Sequence, residues 1–183
     1  NGGPFLPGNV DYFKIGFKAD FYRRLFNSNR VTLYLGSEFG YMDELISGTP
    51  VNPFEYYYMG GSGLVIATTS LRGYDDRTVG PRNEFGDVIG GRVSAKFVSE
   101  LRFAVSLDPI PLYVLGFAEA GRVFESIKTT DLLNLRKSIG VGARILINPI
   151  GLIGFDVGYG FDRKAVDGTD PTWQFHFQFG KGF

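Results

Sequence analysis

The chain has 183 residues, 19 Lys and Arg against 19 Asp and Glu, and no Cys. The balanced charge gives no global attraction to nucleic acid or acidic lipid, and the lack of Cys excludes a disulfide scaffold, a thiolate nucleophile and a Cys-based metal site. Eighteen Phe, ten Tyr and 26 Gly beside two Met favour strands joined by glycine-rich turns over packed helices. No apolar run approaches the roughly 18 residues of a membrane-spanning helix, a test that does not touch β-barrels, whose strands of about 9 to 11 residues keep hydropathy near neutral. The start at Asn1 rather than Met reads as a processed chain or a fragment.

Residues 11–25 place Phe13, Ile15, Phe17, Ala19 and Phe21 on one parity and Lys14, Gly16, Lys18 and Asp20 on the other, the period of a strand wet on one face. Residues 30–42 repeat the pattern after a short turn, so the two form a hairpin. From about 44 to 90 the alternation stops. A segment of that length exceeds any ordinary connection, and its aromatics, Phe54, Tyr56, Tyr57, Tyr58 and Phe85, together with Leu64, Val65 and Ile66, argue against disorder because they are costly to leave in water.

Alternation returns at 91–105 and continues, less cleanly, at 111–124. It is clear again at 137–147, 152–161 and 172–183, which brings the strands to seven. Short turns near 27–29, 108–110 and 148–151 alternate with longer connections at 44–90, 125–136 and 162–171. This is the asymmetry of an outer-membrane barrel, with short periplasmic turns, long extracellular loops, lipid against the apolar parity and a polar lumen against the other. The expected fold is therefore all-β, a transmembrane antiparallel barrel. A soluble sandwich would instead set its apolar side against a second sheet.

Three pieces carry a resemblance: Leu71-Arg72-Gly73-Tyr74 followed by Val79-Gly80-Pro81, the strand piece Gly116-Phe117-Ala118-Glu119-Ala120-Gly121, and the tail Phe175 to Phe183. From about residue 11 onward the chain resembles the carboxy-terminal barrel of BamA-type outer-membrane assembly and translocation proteins, the group that includes TamA and the two-partner-secretion transporters. The family signature is Val-Arg-Gly-Phe, so Leu71 and Tyr74 depart from it while keeping an apolar and an aromatic residue. The resemblance implies a sixteen-stranded barrel preceded by periplasmic POTRA repeats, with a weak seam between first and last strands where client strands enter. This chain holds seven of those strands and no POTRA repeat, so the other strands are expected from an upstream segment or another chain.

The resemblance also implies that the long loop folds into the lumen, with Arg72 bonded to the wall. The family usually has Phe-x-Asp where this chain has Phe117-Ala118-Glu119, which makes Glu119 the natural acceptor. Glu100 and Asp156, on the polar parity of their strands, remain alternative partners. Independently of family, a guanidinium offers a planar fork of donors matched to a carboxylate. Gly73 suits a backbone shape closed to other residues, and Tyr74 suits packing on the inner wall. Phe175, Phe177, Phe179 and the terminal Phe183 resemble the signal by which outer-membrane strands are recognised for insertion, and they suit a lipid-facing aromatic belt equally well.

His176, the only His, lacks visible acid–base or metal partners and reads as lumen-facing packing. No nucleophile elbow, phosphate loop or paired-His spacing is present, and Gly60-Gly61-Ser62-Gly63 is too short for a nucleotide loop. The expectation is a non-enzymatic protein of the bacterial outer membrane with no cofactor or metal. Its expected partners are outer-membrane lipid, unfolded outer-membrane protein clients and accessory assembly lipoproteins, and nucleic acid is not among them. Its expected task is insertion of β-barrel proteins, with polypeptide secretion or a passive porin or anchor as alternatives.

Overall fold

The computed structural model describes residues 11–46, 48, 51–65, 68–149 and 151–180. Seven long strands form one antiparallel sheet: β1 (Tyr12–Arg24), β2 (Val31–Glu44), β5 (Val93–Ser106), β6 (Leu112–Phe124), β7 (Arg136–Ile147), β8 (Gly151–Gly160) and β9 (Trp173–Gly180). They are ordered β1-β2-β5-β6-β7-β8-β9. Two further strands of two residues each, β3 (Tyr58–Met59) and β4 (Thr68–Thr69), pair in parallel inside the long β2–β5 connection. A short helix, α1 (Arg163–Val166), lies in the β8–β9 connection.

The period-two alternation of the sequence sets the two faces. Phe17, Val141 and Phe175 project outward, at 59, 60 and 65% exposure, while Glu119, Ser138, Asp156 and His176 are buried on the inner face. Exposed Phe, Ile and Val beside buried charge is the inverse of a soluble protein and is the arrangement lipid demands.

The sheet curls around the long loop, because Lys14 and Glu38 from one end of the strand order and Gln178 and Gly180 from the other line one cavity of about 580 Å³ with loop residues 62–65 and 68–70. Leu71, Tyr74, Met59 and Val79 from the loop form a cluster with Val123 of β6 and Val166 of α1. Among the described residues, the larger of two buried apolar clusters therefore lies on the concave side and is built mainly by the loop, while a smaller one joins Ala95, Phe124 and Leu135.

This explains why β6 alternates poorly. Its inward parity carries Leu115, Phe117 and Val123 as well as Glu119, all buried, because that face is the floor under the loop. Its outward parity is small, with Gly116, Ala118 and Ala120. Among the described residues β1 and β9 are the edge strands, each paired on one side.

Candidate functional site: the docked loop and its lumenal wall

Strand register determines which inward side chains share a level. Through successive pairings Arg102, Leu115, Gly142, Asp156 and His176 stand in one row; Glu100, Phe117, Gly140, Gly158 and Gln174 in the next; Val98, Glu119, Ser138 and Gly160 in a third. The three candidate carboxylates thus occupy three consecutive inward rows. The β7–β8 side of the same rows is largely glycine.

The long loop fills this surface and is tied to itself. Leu71 N–H donates to Gly61 O at 3.1 Å, Gly61 N–H to Tyr74 O at 3.0 Å and Val79 N–H to Met59 O at 3.0 Å. The glycine run 60–61, which carries no chemistry by sequence, is a brace for the Leu71–Tyr74 segment.

Arg72 lies at the centre, 2% exposed. Its guanidinium donates to Glu119 Oε1 from Nε at 3.0 Å and from Nη2 at 2.7 Å, and Nη2 also reaches Glu100 Oε1 at 2.7 Å. The Arg72 backbone N–H donates to Glu119 Oε2 at 2.8 Å. Nη1 makes no hydrogen bond and faces Asp156 Oδ2 at 3.5 Å. The ring of Phe117 lies beneath, 3.6 Å from the guanidinium carbon to the ring centroid.

Asp156 is turned chiefly to Arg144, which binds it through two 2.8 Å contacts, and that fork explains why Asp156 is the weakest of the three partners. Glu100 is shared with Arg102 at 2.8 Å, and Glu119 with Lys96 at 3.3 Å. Each of the three acids therefore meets more than one cation, which is the condition for holding charge away from water. Burial alone would lower the Arg72 pKa, but Glu119, Glu100 and Asp156 reverse that and raise it above the ordinary guanidinium range. The loop arginine is charged at any pH a membrane protein meets.

Gly73 takes φ = +89°, a conformation that disfavours any side chain. A Cβ placed on it would stand 2.8 Å from Gly160 N, and one on Gly160 would stand 2.5 Å from Gly73 O. Backbone meets backbone there, and the glycines of β8 are the reason it can. The Gly73 N–H donates to His176 Nε2 at 2.7 Å, so His176 is an acceptor for the loop and not only packing. Tyr74 places its hydroxyl 2.7 Å from Lys137 O, as donor, and burial pushes the phenol pKa up.

The structure thus brings Leu71, Arg72, Gly73 and Tyr74 onto the wall with Phe117, Glu119, Glu100 and Asp156. Phe175, Phe177 and Phe179 lie on the opposite, outward face of β9 at 65, 39 and 54% exposure, and Phe183 lies outside the described residues. Sequence reasoning did not find Lys96, whose Nζ donates to Ser70 Oγ at 2.8 Å, or Arg163, buried in the β8–β9 connection. Arg163 has a weak signal, a basic residue inside a short acidic loop. Among the described residues no group of His, Asp and Glu is placed to hold a metal ion.

Comparison with known proteins agrees with this architecture. No curated protein matches significantly. Thirty-eight chains of solved structures do. One is the crystal structure of BamA from Haemophilus ducreyi lacking POTRA domains 1–3, similar at a TM-score of 0.70 and 23% identity over 91% of this chain and 34% of that one. The chain spans about a third of the length of that truncated chain, and the likeness is one of fold. A model of the Omp85 superfamily domain matches residues 1–183. Barrels of that family reside in outer membranes and serve transport and assembly without enzymatic chemistry. Matched by the family model along its whole length, this chain belongs to the Omp85 superfamily.

Proposed function

We propose that this chain is the carboxy-terminal part of an outer-membrane assembly factor that inserts β-barrel clients, with the loop between β2 and β5 holding the lumen in its working arrangement. The observation that carries this reading is the Arg72 site: a loop arginine bonded through side chain and backbone to a wall carboxylate, inside a sheet whose outer face is apolar. Such a lock fixes geometry more than it adds net stability, since buried ion pairs roughly break even against their desolvation.

Among the described residues β1 and β9 each pair with a strand on one side only, and lipid does not tolerate an open sheet edge. Further strands and POTRA repeats, from upstream sequence or another chain, complete the barrel. Gly180 at the β8–β9 pairing has no side chain to pack, which weakens a strand locally and supports a weak terminal seam that exposes a template for client strands. Phe175, Phe177, Phe179 and Phe183 serve as the insertion signal of that strand. Accessory lipoproteins and unfolded outer-membrane proteins are the partners this activity requires.

Secretion of a polypeptide through the lumen uses the same parts, and the number of upstream POTRA repeats separates the two. A passive porin is disfavoured by the buried loop cluster on the concave side. The test is deletion of residues 62–83 in the complete barrel, read by client assembly in proteoliposomes and by single-channel conductance. An assembly factor loses client insertion and gains conductance. A passive pore gains conductance with no client activity to lose.

A further inference from the structure

Arg72 ties the loop to β5 and β6, but the other half of the motif faces elsewhere. The Gly73 carbonyl and the Asp75 carboxylate both meet Arg163, whose Nη1 lies 3.5 Å from Gly73 O and whose Nη2 donates to Asp75 Oδ2 at 2.8 Å. The Arg163 side chain is 3% exposed and is itself held by Thr169 Oγ1 at 3.1 Å and Asp167 Oδ2 at 3.3 Å. Thr169 and Asp167 both belong to the β8–β9 connection.

The same hairpin supplies four more contacts to the loop. His176 of β9 accepts from Gly73 N–H at 2.7 Å. The glycines of β8 admit the Gly73 backbone. Asp162 Oδ2 accepts Lys137 N–H at 3.0 Å and stands 3.5 Å from the Tyr74 hydroxyl, while Val166 joins the loop's apolar cluster. By contrast β9 itself has one strand neighbour among the described residues, β8, along eight residues. β8 is secured by β7 along ten residues, whereas β9 is held by one strand, so its inner-face contacts add to how firmly it is held.

We propose that Arg163 is a positioning residue that couples loop docking to the placement of β9, so that release of residues 71–75 and loosening of the β8–β9 hairpin are one event. A coupling of this kind is reciprocal: a client strand that displaces β9 would weaken loop docking by the same factor that undocking weakens β9. This inference rests on the proposed lumenal lock and adds to it a mechanical output at the terminal strand.

The experiment is amide hydrogen exchange on the complete barrel in lipid nanodiscs, comparing segments 71–79 and 173–180 with 93–124 as internal reference. Asp75→Asn, altered at a side chain that is half exposed, and Arg163→Gln remove the ion pair from its two sides, and Asp75→Glu retains it. Asp75→Asn and Arg163→Gln are expected to speed exchange about fivefold or more in both 71–79 and 173–180, with 93–124 unchanged and Asp75→Glu like wild type. Faster exchange in 71–79 alone, or in neither segment, overturns the coupling. If Arg163→Gln does not assemble, Asp75→Asn decides by the same criteria. Arg72→Gln, run in parallel, separates the two ideas: protection of 71–79 unchanged in that variant would sink the lock itself, whereas its loss there with β9 unmoved in Asp75→Asn sinks only the coupling.

Discussion

Arg72 and Glu119 meet at three points, the backbone N–H on Oε2 at 2.8 Å and the guanidinium on Oε1 at 2.7 and 3.0 Å. One carboxylate thereby fixes both the main-chain position and the side-chain orientation of the loop. A solvated pair would hold neither, because exposed ion pairs are worth little and leave both side chains mobile.

Glu119→Gln is expected to undock the loop. The substitution keeps an acceptor but leaves Arg72 and Lys96 facing one fewer negative charge, and breaking a buried pair in this way costs about 3–5 kcal/mol. Because the chain has no Cys, a single thiol introduced by Val79→Cys, at a position where Val79 is 1% exposed, reports undocking through its labelling by an impermeant maleimide. Glu119→Gln should speed that labelling at least about tenfold, the equivalent of about 1.4 kcal/mol.

Gly160→Ala tests the backbone contact. The added Cβ would sit 2.5 Å from Gly73 O, a carbonyl that the Arg72 and His176 bonds nearby prevent from yielding freely. Overpacking of this type costs about 1–3 kcal/mol, so the thiol of the Val79→Cys background should again label faster. Gly180→Ala, where a Cβ meets nothing within 4 Å, is the matched control and should label at the parental rate.

His176→Leu removes the acceptor of the Gly73 N–H and leaves that buried donor unpaired, at a cost of about 1–3 kcal/mol. In the same Val79→Cys background the expected outcome is faster labelling, with the strand signal of the barrel retained in circular dichroism. Labelling at the parental rate would mean that His176 only packs.

Much of this molecule is readable from its sequence because strand alternation is local. Phe13 to Phe21 and Lys14 to Asp20 declare two faces of β1 without reference to any other strand. The acceptor role of Glu119 is legible for a different reason, the resemblance of Phe117-Ala118-Glu119 to a family motif. His176 and Arg163 are not legible. A lone His on a polar parity looks the same whether it lines a lumen or accepts one hydrogen bond, and the bond to Gly73 spans 103 residues of chain. Arg163 sits among Asp162, Asp167 and Asp170, a composition shared by any solvated loop. The weak alternation of β6 is a signal whose meaning needs the loop in place, since inward Leu115, Phe117 and Val123 mark where the loop lands.

The most direct measurement is the rate at which the complete barrel carrying Arg72→Ala folds a β-barrel client into proteoliposomes, beside wild type and beside the exchanged pair Arg72→Glu with Glu119→Arg. The account predicts a fall of at least about tenfold for Arg72→Ala, as expected for loss of a buried charge pair, and partial recovery in the exchanged pair. Wild-type folding rates with Arg72→Ala would contradict it.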